Sequence, residues 1–138
     1  RNIIGLENAH STEFTADTNS PVIDIMVSQK KTDKKGGTMR LGSYPCKVKK
    51  GTKLYKAVKE ELIYERHRHR FEFNNAFKEQ YEASGMVFSG LYEKSNLIEV
   101  IELPEKKWFV ACQFHPEFKS RPYKSHPLFK DFIKASLN

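Results

Sequence analysis

Long hydrophobic runs are missing from this 138-residue chain. No apolar stretch approaches the ~20 residues that a bilayer span requires, and no basic-then-apolar leader opens the sequence. Cysteine is nearly absent too. Cys46 and Cys112 stand singly in apolar or strand-like surroundings, which fits reduced thiols in a cytoplasmic protein better than a disulfide framework. No serine or cysteine sits in the glycine-flanked setting of a nucleophile elbow, where a sharp strand-to-helix turn leaves no room for larger neighbours. There is no internal repeat and no low-complexity tract.

What is present is charge. The formal net charge is +7 and 38% of the residues are hydrophobic, with a pI near 9.4 and a mean hydropathy of −0.65. The length suffices for one domain with a real core. The basic excess raises the prior for an anionic partner, and much of it sits at Lys30-Lys31-Thr32-Asp33-Lys34-Lys35 and Arg66-His67-Arg68-His69-Arg70.

The apolar run Trp108-Phe109-Val110-Ala111-Cys112 reads as a strand buried on both faces, and it leads into Gln113-Phe114-His115-Pro116-Glu117-Phe118. Other strand-like runs cover 21–26, 39–48, 63–73, 86–92 and 97–103. Pro45 demotes part of the second to an edge. Thr52 can cap a short helix with an apolar face of Leu54, Tyr55 and Val58. Asn74 or Asn75 can cap another that carries Phe77 and Tyr81 and stops at Gly85. A last helix from near Ser125 should turn Leu128, Phe129, Phe132, Ile133 and Leu137 toward the core. Residues 1–6 read as the end of a helix. The lysines ahead of Gly36-Gly37 mark either a solvated loop or a phosphate-facing one. The pattern implies a compact α/β domain, most simply a doubly wound sheet.

Strand ends in such sheets are where sites are built. His115 with Glu117 two residues on could be the base-and-orienter half of a nucleophilic triad, or a loop histidine beside a solvated carboxylate. Strand alternation would put Cys112 and His115 on opposite faces, so both cysteines read as core residues. His67, His69 and His115 could in principle offer three imidazoles to a metal, but the interleaved arginines oppose a bound cation, and no metal site is expected. The Arg-His-Arg-His-Arg run admits three readings: a solvated or ion-paired strand, a nucleic-acid patch, or a small-molecule site. In the last, one arginine turns inward to grip a carboxylate with its planar fork. Arg70, next to Phe71, is the best placed to do so. No groove-binding helix or aromatic interleaving supports the nucleic-acid reading.

Four segments together resemble the glutamine amidotransferase domain of the CTP synthase family, and the resemblance runs essentially end to end. They are Asn8-Ala9-His10-Ser11-Thr12-Glu13-Phe14, Gly36-Gly37-Thr38-Met39-Arg40-Leu41-Gly42, Glu65 to Glu72, and Gln113 to Phe118 followed by Ser120-Arg121-Pro122. His-Pro-Glu is shared by all class I, triad-type amidotransferases; the glycine-rich and Arg-His segments are more particular. The resemblance implies an open, mostly parallel sheet flanked by helices, of which residues 1–138 form the C-terminal part. It implies glutamine hydrolysis through a cysteine, with the ammonia passed to a synthetase domain that makes CTP from UTP with ATP and Mg2+. By the same resemblance His115 is the general base and Glu117 its orienting carboxylate. Glu13 receives the α-amino group of L-glutamine and Arg70 its α-carboxylate. The cysteine elbow, the oxyanion loop and the synthetase domain lie outside this sequence, so no cofactor is expected in it. A homo-oligomer, a tetramer by resemblance, and GTP as effector are implied as well, with neither a nucleic acid nor a membrane as partner. Other readings are a basic nucleic-acid-binding module, a noncatalytic α/β relic, or another class I amidotransferase.

Overall fold

The computed structural model describes residues 2–25 and 39–137. The lysine cluster and Gly36-Gly37-Thr38 lie outside the described residues. Chain order gives β1 (Ala9–Ser11), β2 (Ser20–Ile25), β3 (Arg40–Val48), α1 (Lys53–Val58), β4 (Leu62–His69) and β5 (Phe71–Phe73). Then come α2 (Lys78–Ala83), β6 (Val87–Tyr92), β7 (Leu97–Glu102), β8 (Val110–Cys112) and α3 (Pro127–Leu137).

Local signals account for most boundaries. Thr52 caps α1 through its hydroxyl, which accepts from the N–H of Tyr55, and the buried carboxylate of Glu102 accepts from the N–H groups of Lys53 and Leu54, both at 2.8 Å. Three of the donors that a helix start leaves without helical partners are thereby satisfied. Asn74 accepts from the N–H of Ala76 ahead of α2, and Gly85 follows that helix at φ +87, a left-handed conformation that suits glycine. Residues 2–5 form turns ending at Gly5, with no helix there among the described residues.

The strands build a small sheet, β1-β2-β5, and a larger one, β4-β3-β6-β7-β8. Among the described residues β1 with β2 is the one parallel pair, so the mostly parallel sheet expected is not what these residues build. The short turn between β6 and β7 forces antiparallel neighbours, because a parallel return needs a long crossover; β3 and β4, connected through α1, pair antiparallel as well. β3 follows β4 from Arg40 to Lys47 but meets β6 only at Lys47 and Val48. Freed over most of its length, the β3–β4 hairpin swings round and the large sheet curls. Its edge strands therefore approach: the N–H of His115, just past β8, donates to the carbonyl of Arg66 on β4 at 2.8 Å.

The curl encloses a core of Cys46, Val48, Leu54, Ile63, Val100, Phe114 and Leu128. Gly90 lies at its tightest point; a Cβ there would stand 2.7 Å from Val100 Cγ2 and 2.8 Å from Cys46 Sγ. A second core, around Tyr81, Met86 and Leu103, joins the small sheet through Val22 and Phe73.

Two burial expectations fail together. The run 108–112 is not buried on both faces: β8 is an edge strand, with Phe109 and Ala111 exposed. On α3 only Leu128 is buried, whereas Phe132 is 50% and Leu137 82% exposed. These surfaces face one groove of about 420 Å³ lined by Trp108, Val110, Pro116, Phe129 and Phe132 among others. Both elements carry the pattern for burial, yet each turns one apolar face to this groove, with Phe109, Phe129 and Phe132 exposed.

Candidate active site

β8 ends at Cys112, and Pro116 at the first position of a short 3-10 turn redirects the chain after His115. The turn brings Glu117 back on His115: Nδ1 lies 2.7 Å from Glu117 Oε1. The His115 ring also stacks on Phe118, with centroids 4.9 Å apart and an interplanar angle of 25°. His115 is thus held by its backbone on Arg66, its ring face on Phe118 and its Nδ1 on a carboxylate. That hydrogen bond holds the Glu117 carboxyl below its usual range. Its side chain is 36% exposed, so the ring is reachable.

Arg70 occupies the corner between β4, in the large sheet, and β5, in the small one. Along β4 the alternation runs as expected, with Arg66 and Arg68 exposed and His67 buried. Arg70 departs from it: the strand breaks there, and the arginine is half-buried. Glu13 is exposed in the turn after β1. Register relates the strands that carry them. Ser11 pairs with Ile23, which pairs with Phe73, and Ile25 pairs with Phe71, so β1 runs toward the end of the small sheet where β5 starts, with β2 between. Strand spacing puts β1 and β5 roughly 10 Å apart. The structure thus brings His115 and Glu117 together at the end of the large sheet, while Glu13 and Arg70 sit in the loop and the corner that flank the small one.

Behind them runs a buried polar network that the sequence reading did not single out. Arg40 is 4% exposed. Its Nη1 lies 2.5 Å from Glu99 Oε1 and 3.5 Å from Glu72 Oε1, and its guanidinium lies over the rings of Tyr44 and Tyr92. His67 Nε2 is 3.2 Å from Glu99 Oε2. Burial, against the pull of Arg40, pushes Glu72 up to about 7 and raises Glu99. Burial, aided by the Arg40 charge, takes His67 down to about 3 and His69 to about 4. A signal existed in the sequence: Glu99 interrupts the apolar run Leu97-Ile98-Val100-Ile101.

The cysteines remain apart from this chemistry. Burial pushes both thiols up to about 12, and the Cys112 Sγ turns to the carbonyl of Phe114 at 3.5 Å. Neither has the depressed pKa of an activated thiolate. Among the described residues no grouping of three or more His, Cys, Asp or Glu could hold a metal ion, and no helix is long and apolar enough to cross a membrane.

Residues 4–135 match the family model of class I glutamine amidotransferases. The chain belongs to that family, and the α/β assignment stands with it. More particularly, the chain is similar to CTP synthases: 58% identical to that of Aquifex aeolicus over 137 residues, and 60% identical to that of Caldanaerobacter subterraneus subsp. tengcongensis over 138. These alignments cover 99% and 100% of the chain but 26% of each relative, so it spans about a quarter of their length. Among solved structures it is similar to the glutaminase domain of Trypanosoma brucei CTPS with bound acivicin, at a TM-score of 0.90 and 33% identity over 99% of this chain and 53% of that one.

Proposed function

We propose that these residues form part of the glutaminase domain of a CTP synthase, which hydrolyses L-glutamine and passes the ammonia on for ATP-dependent amination of UTP to CTP. The observation that carries this is the His115–Glu117 pair, 2.7 Å apart at a rigid strand end. With Nδ1 given to Glu117, Nε2 is the nitrogen left to take a proton from a nucleophile. The carboxylate fixes the tautomer and stabilises the imidazolium that forms. Arg70 and Glu13, flanking the small sheet, suit the two charges of a free amino acid. A planar guanidinium pairs with the α-carboxylate and an anion with the α-ammonium.

The nucleophilic cysteine comes from a part of the enzyme beyond these 138 residues. Two observations support this: both cysteines present are buried with raised pKa, and the open edge of β8 with its apolar groove lies directly before His115. On the similarity to CTP synthases we extend the reading to a synthetase domain with its ATP and Mg2+, a homo-oligomeric assembly, GTP as effector and a cytoplasmic location. Among the described residues no grouping of three or more His, Cys, Asp or Glu is present to hold Mg2+.

The test is stoichiometric. Full-length enzyme carrying this chain, given UTP, ATP, Mg2+ and glutamine, should form one CTP per glutamate released. Glutamine consumption with an aminated product other than CTP, or none at all, would overturn the reading.

A further inference from the structure

Gln113 belongs by its backbone to the large sheet, where its N–H donates to the carbonyl of Glu99 at 2.9 Å. Its side chain belongs to the small one. The amide orientation is assigned from its neighbours, an acceptor on one side and a donor on the other: so placed, its nitrogen donates to Glu72 Oε2 at 2.5 Å and its oxygen accepts from the N–H of Phe73 at 3.3 Å. Both partners lie on β5, which starts immediately after Arg70. Glu72 is itself 3% exposed, set between Arg40 and His69 at 3.5 Å each, so the amide is anchored to a side chain that cannot move away. The seam that it crosses is loosely filled: a pocket of about 110 Å³ lined by Ile23, Phe73, Ile101 and Cys112 lies against Gln113.

Two ties therefore join the strand end that carries the base to the run that carries the arginine. His115 is held upstream of Arg70, at the Arg66 carbonyl, and Gln113 downstream of it, at Glu72 and Phe73. Arg70 sits between the attachment points. We infer that Gln113 is a positioning residue whose amide, anchored on Glu72, fixes the separation between the substrate-gripping Arg70 and the base His115. The inference rests on the roles given above to those two residues. It has a distinctive consequence, because each half of the site is complete without Gln113. Glu13 and Arg70 flank the small sheet, the His115–Glu117 pair lies within the turn after β8, and what the amide sets is the placement of the one half relative to the other.

The experiment uses full-length enzyme with four variants, assayed with glutamine and with free ammonia: Gln113→Ala, Gln113→Glu, the exchange Glu72→Gln/Gln113→Glu, and His115→Ala. Misplacement of about 1 Å costs on the order of 100-fold in rate. Gln113→Ala should thus lower kcat with glutamine by roughly 10- to 100-fold, with KM for glutamine within about twofold and ammonia-supported synthesis retained. Gln113→Glu, which sets two carboxyl groups together, should fall further. The exchange restores one donor and one acceptor across the seam and should recover most of the loss. A rise in KM at unchanged kcat, a parallel loss with ammonia, unchanged kinetics or failure of the exchange to rescue would each overturn the inference. His115→Ala separates this from the parent reading: if it keeps glutamine-dependent synthesis, the site assignment itself falls, whatever Gln113 does.

Discussion

His67 Nδ1 faces His69 Nε2 at 2.7 Å, and that contact fixes where two protons sit. His69 Nδ1 points to the carbonyl of Phe71 at 3.1 Å, so it carries the hydrogen and Nε2 is an acceptor. His67 must then donate from Nδ1, which leaves its Nε2 bare toward Glu99 Oε2 at 3.2 Å, and neither of those two buried atoms has a hydrogen-bond partner. Burial holds both imidazoles low and raises Glu99, all three beside Arg40.

Acid stability follows from this arrangement. His67 and His69 are lowered from 6.5 to about 3 and 4, so their contribution is present above 6.5 and is lost as pH falls through those values. Glu72 runs the other way, raised from 4.5 to about 7; its contribution is full below 4.5 and lost as pH rises through 7. Glu99 is raised too and adds to this opposing trend. The two trends offset between about 4.5 and 6.5, whereas below 4.5 the histidine loss stands alone, at up to about 1.4 kcal/mol per pH unit for each. Chemical denaturation of the chain across pH should show a plateau and then a drop. In Glu72→Gln the drop should begin near 6.5, and an unchanged onset would contradict the assignment.

Replacing the base should separate two activities. In the full-length enzyme His115→Ala should abolish glutamine-dependent CTP formation while synthesis from free ammonia persists, because ammonia bypasses the acyl chemistry. Glu117→Ala should be milder, since the orienter accepts no proton itself. Parallel loss of both activities in His115→Ala would make the histidine structural.

Arg70→Ala should lower kcat/KM for glutamine by about 30- to several-thousand-fold, from roughly 2–5 kcal/mol for truncating a desolvated charge pair. Lysine should rescue only part, as it lacks the planar fork, and Glu13→Ala should resemble Arg70→Ala. The exposed Arg66 and Arg68 should cost about 1 kcal/mol or less on truncation. Near-normal kinetics for Arg70→Ala beside a large loss at Arg66 or Arg68 would show the wrong arginine was chosen.

The 138 residues alone should release no ammonia from glutamine above background, since loss of a nucleophile costs on the order of a million-fold. Glutaminase activity that survives in a Cys46→Ser/Cys112→Ser double variant would place the nucleophile elsewhere in this chain.

Gly90→Ala should destabilise by roughly 1–3 kcal/mol, because the new methyl meets Val100 and Cys46 in the tightest part of the core. Urea unfolding of the chain measures it directly. A neutral result would mean that β6 shifts freely at its irregular register beside Gly90.

Legibility in the sequence followed the range of the interaction. The Thr52 and Asn74 caps, the Gly85 stop and the alternation of β4 depend on neighbours a few residues away, and all were readable. Arg40, Glu72 and Glu99 were not, because their mutual neutralisation spans three strands and emerges only when the sheet curls. The burial expected of 108–112 and of α3 is not met: β8 is an edge strand, and α3 buries only Leu128, because an apolar pattern does not say how many neighbours an element will have.

Since the acceptor for the His115 N–H is the main-chain carbonyl of Arg66, no side-chain replacement at 66 removes it. An alanine at 66 would remove the guanidinium that lies over the Phe118 ring and leave the anchor of the base in place. Only a change that turns the peptide plane, such as proline at 67 with its fixed φ and missing N–H, would reach the anchor.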